Sequence, residues 1–432
     1  MSQYERQEKS RRKHEPSNSG TSRAPVAPAR RPGWKGPGYI KKAAKAPKPQ
    51  PAAAAASSGP TIQPECLPIE LQQLVLNIFR STFPALQDPE TLKPVLRDIK
   101  IAISARDFET AFGKEEWLEA YAARWSPSRL LGYVNLLAWA VEECKEEAWV
   151  QRLLGTRTAG ADGSPPVEEK RNPPRVVCIG GGAAELMAFG ALARLLRPET
   201  CGKPLGEGAG IEEGIEKLDI SSSDAVGGSS LLDLRLVDSA PWGNVISKLH
   251  SGLTTPPALS KYASASARAS NASFLQPGTM DVSFTQADVL ALEKGRLKGI
   301  VGDDPAMVTL FFTLNELYTT DVAKSTKFLL ELSFACAKDS LLCVIDSSGS
   351  YSETAIGKAD EEQKERKKYP MHWLMDHALL RSAKGKGGDG EGAAMWEKLI
   401  VDESRWYKLD ESLDYPIGLE NIKFQVHLFK RL

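Results

Sequence analysis

The chain has 432 residues, 55 lysines and arginines against 55 aspartates and glutamates, and six cysteines. That length allows two or three domains around a large core, while no apolar run approaches a membrane span and the polar N-terminus lacks a signal-peptide core, so a soluble, non-secreted protein is expected. The cysteines, Cys66, Cys144, Cys178, Cys201, Cys336 and Cys343, are scattered, with no CxxC and no histidine at zinc spacing; buried reduced thiols are expected and no metal site.

Residues 1–60 carry most of the charge asymmetry. Arg11, Arg12, Lys13, Lys41, Lys42 and other bases face only Glu5, Glu8 and Glu15, so the rest of the chain is net acidic by roughly ten charges. Rich in Pro, Ala and Ser and poor in larger aliphatic residues, this tail cannot offset its ordering entropy and reads as disordered. It suits an RNA-contacting or nuclear-import arm, or a solubilising tail.

From Thr61 to about Gly155 apolar residues recur every three or four positions, which predicts four helices over Leu67 to Phe83, Pro89 to Ile103, Phe108 to Trp125 and Pro127 to Trp149. Asp88 before Pro89, and Ser126 before Pro127, place a capping side chain ahead of a proline at a first helical position. Trp117, Tyr121, Trp125, Tyr133 and Trp139 could stack on bases, although helical spacing favours a core role. Residues 156–174, rich in Gly, Pro and charge, read as a linker.

The organising stretch is Arg175 to Ala191. Val176, Val177, Cys178 and Ile179 form a wholly apolar strand, Gly180, Gly181 and Gly182 a tight turn, and Ala183 to Leu196 a helix with a broad apolar face. Glycines there let the backbone turn sharply and approach a ligand, with free amides at the helix start, as nucleotide-binding α/β folds require. Residues 198–230 read as a flexible insertion. Strand two, Leu232 to Val237, ends at Asp238, where a carboxylate can accept from both ribose hydroxyls or serve as a loop acid. A helix follows from Trp242 to Leu249.

Strand three, Met280 to Thr285, precedes Asp288, which suits either an adenine amine or a helix cap for Val289 to Leu297. Strand four, Ala306 to Thr313, leads into Asn315 and Glu316, polar residues where open α/β sheets place their chemistry. Asp321 to Ala337 is an amphipathic helix with Phe328, Leu329, Leu332 and Phe334 expected on its buried side, and strand five, Leu341 to Ile345, ends at Asp346. Glu361 to Lys368 reads as a solvated charge run and residues 384–392 as a second flexible loop. Between them Tyr369, His372 and Trp373 lie near the end of strand five and could contact substrate, with a core role favoured for Trp373. Trp406 to Leu409 and Lys423 to Phe429 alternate as a C-terminal antiparallel pair. The sum is an α/β, Rossmann-like seven-stranded mixed sheet over residues 175–432, preceded by a helical module over 61–155.

That order, with acids at the tips of strands two and three, resembles the class I S-adenosylmethionine-dependent methyltransferases. The resemblance implies that Gly180, Gly181 and Gly182 wrap the methionine end of the cofactor, Asp238 holds its ribose, Asp288 meets its adenine, and Asn315 and Glu316 face the methyl acceptor. The family's usual acid two positions before the first glycine is Cys178 here, and Glu185 is a substitute candidate for the methionine amino group. More narrowly, CIGGGAAELMAF, LVDSAPWGNVISKL and FQVHLFKR look like the fungal 25S ribosomal RNA methyltransferases that modify uridine at N3. This implies a ribosomal RNA substrate within the pre-60S particle, a role in ribosome biogenesis, a nuclear and nucleolar location with the cytoplasm as a second one, and a monomer without metal. The imide nitrogen of uridine carries a proton, and Glu316 or Asp346 could accept it.

Two other readings follow from the same residues. VVCIGGGAAE is close to the dinucleotide loop of a flavin or nicotinamide oxidoreductase, but Glu185 stands where that fingerprint needs a third small residue. A non-catalytic RNA-binding ribosome-assembly protein would keep the basic tail and helices without turnover.

Overall fold

The computed structural model describes residues 61–62, 66–155, 172–201, 230–349, 351–354, 367–380 and 394–432. The basic tail lies outside these residues, as do most of the expected linker and nearly all of the two expected flexible loops. Seven main strands follow in chain order: β1 (Arg175–Ile179), β2 (Leu232–Asp238), β3 (Met280–Gln286), β4 (Ala306–Phe311), β5 (Leu341–Ser347), β6 (Trp396–Tyr407) and β7 (Ile422–Arg431). They form one sheet in the spatial order β3-β2-β1-β4-β5-β7-β6, to which Thr61–Ile62 adds a two-residue parallel edge beside β6. The first five strands are mutually parallel and β7 runs antiparallel to both β5 and β6. The order reverses at β1, where the sheet grows to β2 on one side and β4 on the other; ligands of open α/β sheets bind at such a switch point.

Side chains of successive strand residues enter opposite layers, because Cβ alternates across the pleat. Val176 and Cys178 join the core on one face, Val177 and Ile179 the core on the other. The helices divide accordingly. On the second face lie α9 (Lys294–Val301), α10 (Leu314–Thr320), α11 (Val322–Ala335) and α12 (Met371–Leu379). The first face is covered by α6 (Ala183–Leu196) and α7 (Gly243–Thr254); the N-terminal helices α1 (Ile69–Thr82) and α4 (Glu115–Glu143) pack against these, α2 (Pro89–Ser104) and α3 (Phe108–Phe112) pack on α4, and α5 (Ala148–Leu154) joins the same core. The short α8 (Ala265–Ala269) completes the set. Leu76, Phe79, Leu130 and Val134 of the N-terminal helices share one core with Phe189 and Leu249. A buried polar hub adds to the join: Asn135 Oδ1 accepts from the backbone of Cys66 and Leu67, and its Nδ2 donates to Tyr407 on β6.

Several expectations are corrected. Pro127 does not begin a helix: α4 runs unbroken through it, and Ser126, Pro127 and Ser128 are all buried. A proline inside a helix leaves the carbonyl four residues earlier without its donor, at a cost of about 3 kcal/mol. Here that carbonyl, Ala123 O, accepts from Tyr415 Oη at 2.7 Å. Strand β6 begins ten residues before the expected Trp406, since two bulges in its pairing with β7 throw the alternation out of phase. Phe334 is 57% exposed, two positions beyond Leu332 and therefore on the far side of α11. Trp373, expected in the core, is 44% exposed and stacks on Tyr369 with ring centroids 5.3 Å apart. Tyr351–Thr354 and Lys367–Pro370 pair as a small antiparallel ribbon, so the end of the charge run is strand. Asp88 does cap α2, and Asp321 caps α11.

Replacing Tyr415 by Phe strands the Ala123 carbonyl and is expected to lower unfolding free energy by about 1–3 kcal/mol. In a Pro127→Ala background, where a backbone N–H is restored, the same replacement should cost much less; a denaturant double-mutant cycle measures the difference.

Candidate active site

A cavity of about 710 Å³ opens at the carboxyl ends of β1, β2, β4 and β5. Gly180 and Gly182 form part of its floor. Gly180 has φ +72°, and a Cβ built there would sit 2.2 Å from Thr313 Oγ1; one on Gly182 would meet the Trp242 ring at 3.1 Å. Gly181 is different. Its Cβ would strike the Cβ of Cys178 at 2.5 Å, so this glycine serves the close approach of turn to strand and does not line the cavity. The turn is held by the N–H of Gly180, which donates to Val237 O at 2.8 Å.

Three acids surround this floor. Glu185, in the first turn of α6, folds its Oε2 back onto the N–H of Gly182 at 2.8 Å and is 6% exposed. Burial pushes its carboxyl up to about 7, against the opposing pull of its hydrogen bonds and of nearby Arg129. Asp238 accepts from Ala240 N at 2.7 Å, and burial raises it to about 6. Asp288 stands exposed at the rim and accepts from Leu290 N at 2.9 Å. It does not cap α9, which starts only at Lys294 behind Glu293.

The stretch after β4 forms the opposite side. Phe312 takes φ +52°, a left-handed conformation costing a non-glycine residue about 1–2 kcal/mol, and such strain collects at functional sites. Beyond it, Asn315 and Glu316 enter the cavity wall at the start of α10. Among the described residues the side-chain oxygen Oδ1 of Asn315 is buried with no hydrogen-bond partner. Asp346 is buried, with Oδ2 accepting from Asn315 N at 2.9 Å and Oδ1 from Ser347 N at 2.8 Å. It therefore anchors α10 to β5. Glu316 is more open, with Oε2 accepting from Arg106 Nη1 at 2.9 Å. Tyr369, His372 and Trp373 do not line the cavity.

The structure thus brings together all the cofactor and catalytic candidates except Gly181, and adds a wall of which sequence reading had offered only Tyr121. Arg106, Phe112, Tyr121 and Arg129 reach the cavity from α2, α3, α4 and the turns between them. Arg129 donates to Tyr121 Oη, and its guanidinium lies 5.6 Å from the Tyr121 ring and 5.4 Å from the Phe312 ring. Phe112 and Tyr121 pack on Trp242, which underlies Gly182. Tyr121 therefore belongs to the cavity wall, while Tyr133 lies in the core as spacing suggested. Helical periodicity gave no sign of this, because it locates a helix face without naming the element opposite. Among the described residues no group of three or more His, Cys, Asp or Glu is gathered to hold a metal ion, and no helix is long and apolar enough to cross a membrane.

A strand, glycine turn and helix beside an acid-lined cavity at the sheet's switch point define a nucleotide-type cofactor site. Residues 79–430 match the family described as "Putative SAM-dependent methyltransferase". Over 366 residues the chain is 30% identical to the 25S rRNA (uridine(2843)-N(3))-methyltransferase of Saccharomyces cerevisiae, covering 83% of this chain and 85% of that relative. Among solved structures it is similar to a SAM-dependent methyltransferase from Methanosarcina mazei, with 9% identity, 61% of this chain and 94% of the other covered and a TM-score of 0.29. A second likeness is to an O-methyltransferase family protein from Burkholderia thailandensis, with 10% identity, 79% and 72% coverage and a TM-score of 0.28. On the two sequence matches, the chain belongs to the S-adenosylmethionine-dependent methyltransferase family.

Because folding raises the carboxyls of Glu185 and Asp238, their contribution to stability is full below about pH 4 and is lost as pH climbs through about 6 for Asp238 and about 7 for Glu185. In Glu185→Gln the Glu185 part of this loss should vanish. Between about pH 4 and about pH 8 the variant should gain on the order of 3 kcal/mol relative to the parent, measured by denaturant unfolding across that range.

Proposed function

We propose that this chain transfers a methyl group from S-adenosylmethionine to N3 of a uridine in large-subunit ribosomal RNA. The observation that carries the reading is a single cavity where the glycine turn and the acids after β2 and β3 meet the polar residues after β4. The uridine and the ribosomal RNA come from the Saccharomyces cerevisiae relative, which is 30% identical over most of both chains.

The cavity fits the cofactor on two counts. Its floor at Gly180 and Gly182 is bare backbone, where a Cβ would press on Thr313 and on Trp242, and among the described residues Asn315 Oδ1 is a buried acceptor without a donor. Gly180 and Gly182 would give backbone access to the methionine end, Glu185 would meet its amino group, Asp238 would accept from the ribose hydroxyls and Asp288 from the adenine amine. When bound, S-adenosylmethionine supplies a methyl group on a positively charged sulfur, open to attack by a nucleophile.

What is left for the protein is to align the base and remove a proton. Glu316 suits proton removal, being half-exposed at the cavity wall, whereas both oxygens of Asp346 are committed to backbone N–H groups. Asp346 then acts as a positioning residue, holding Asn315 and Glu316 at the mouth. A paired uridine would have to leave its stack to expose N3. The basic N-terminal tail, with Arg11, Arg12 and Lys13, supplies charge for phosphate contacts and supports action on a pre-60S particle in the nucleolus. Glu185 also bears on the oxidoreductase reading: its carboxylate occupies the amide at the helix start that a pyrophosphate would need.

Asp238→Ala is expected to weaken binding of S-adenosylhomocysteine by about 10- to 100-fold in isothermal titration while the circular dichroism spectrum stays unchanged. Purified protein with cofactor should restore 3-methyluridine to ribosomal RNA from a strain lacking the gene, read by nucleoside mass spectrometry, and Glu316→Gln should slow this about 100-fold or more. Cofactor binding without any new methylated nucleoside would instead favour a non-catalytic assembly protein.

A further inference from the structure

Arg106 occupies a position where its residue type is unexpected. It follows the last turn of α2 in a six-to-one and five-to-two pair of closing bonds, Asp107 N to Ala102 O and Arg106 N to Ile103 O, both 2.9 Å. Its φ is +57°, in the left-handed region where this motif ordinarily places glycine. The strained arginine extends across the cavity mouth to Glu316, so that the N-terminal helices and the stretch after β4 meet through one guanidinium and one carboxylate. Arg106 Nη1 engages Oε2 of Glu316, and among the described residues Glu316 Oε1 has no hydrogen-bond donor. The guanidinium has five N–H groups in a fixed fork, so it keeps donors to spare while the pair is intact.

We propose that Arg106 and Glu316 together read the Watson–Crick edge of the target base, admitting uracil and rejecting cytosine. The inference rests on the uridine reading above and adds the residue that would enforce it. A donor beside an acceptor complements uracil, whose O4 accepts and whose N3–H donates. Cytosine presents the reverse, an amino group facing the guanidinium and a nitrogen lone pair facing the carboxylate, so both contacts become repulsive. When the N3 proton passes to Glu316, its bonding pair stays on nitrogen and spreads onto O4 and O2. The positive charge of Arg106 lies beside O4, where part of that negative charge gathers.

The test uses the full chain with Arg106→Gly and Arg106→Lys. Glycine removes the guanidinium and relieves the left-handed strain, so a purely structural arginine and a base-reading one give different results. We expect Arg106→Gly to melt no lower than the parent and to bind S-adenosylhomocysteine with unchanged affinity. It should form 3-methyluridine in ribosomal RNA about 10- to 100-fold more slowly. Arg106→Lys, which keeps the charge and loses the fork, should fall between. The inference is overturned if Arg106→Gly makes 3-methyluridine at the parental rate, or if its cofactor affinity falls in parallel with its rate. A parent protein that binds S-adenosylhomocysteine and makes no 3-methyluridine overturns the uridine reading itself, and this inference with it.

Discussion

The backbone from Gly180 to Gly182 passes between Thr313 beyond β4 and Trp242 ahead of α7, with no room for a Cβ at Gly180 and only a tight fit for one at Gly182. That constraint fixes part of the cavity floor. A side chain at Gly180 would be driven into Thr313, and one at Gly182 would press on an indole that Phe112 and Tyr121 also contact. The turn is thereby coupled to both β4 and the N-terminal helices, and its position sets where Glu185 and Asp238 can stand.

The electrostatics of the cavity follow from the same confinement. Two carboxyls, at Glu185 and Asp238, are held above their ordinary range because burial removes the water that would stabilise their charge. Such a site gains when a cation arrives, since the new charge replaces solvent as the partner of the carboxylates. A ligand bearing an ammonium and a sulfonium has that chemistry. Arg129, between Tyr121 and Phe312, supplies an opposite charge at the same wall and tempers the field at Glu185. The unsatisfied Asn315 oxygen and the left-handed Phe312 show the cavity giving up local stability to place these groups.

The N-terminal helices take part in the site as well as in the core. They cover the face of the sheet that carries α6 and α7, and the turn after α2 brings Arg106 to the cavity mouth. Continuity of α4 through Pro127 is what carries Tyr121 and Arg129 on one rod, and that continuity depends on Tyr415, nearly three hundred residues downstream, supplying the missing donor. A cavity lined from Ile103 to Ser347, with one wall on a helix braced by Tyr415, draws on residues far apart in the chain.

Local features determined much of this in advance. An apolar run ending in three glycines specified β1, its turn and α6; acids after β2 and β3, and a polar pair after β4, marked the rim, because a parallel strand buried on both faces has to be apolar and its ligand-facing groups can lie only at its end. Tertiary structure decided what lay opposite. Period alone could not show that Tyr121 faces the glycine turn, that Pro127 is tolerated inside a helix, that bulges lengthen β6, or that Arg106 reaches Glu316. Each of these depends on a partner far away in sequence, and residue spacing describes the face an element presents while the group that meets it is settled only by packing.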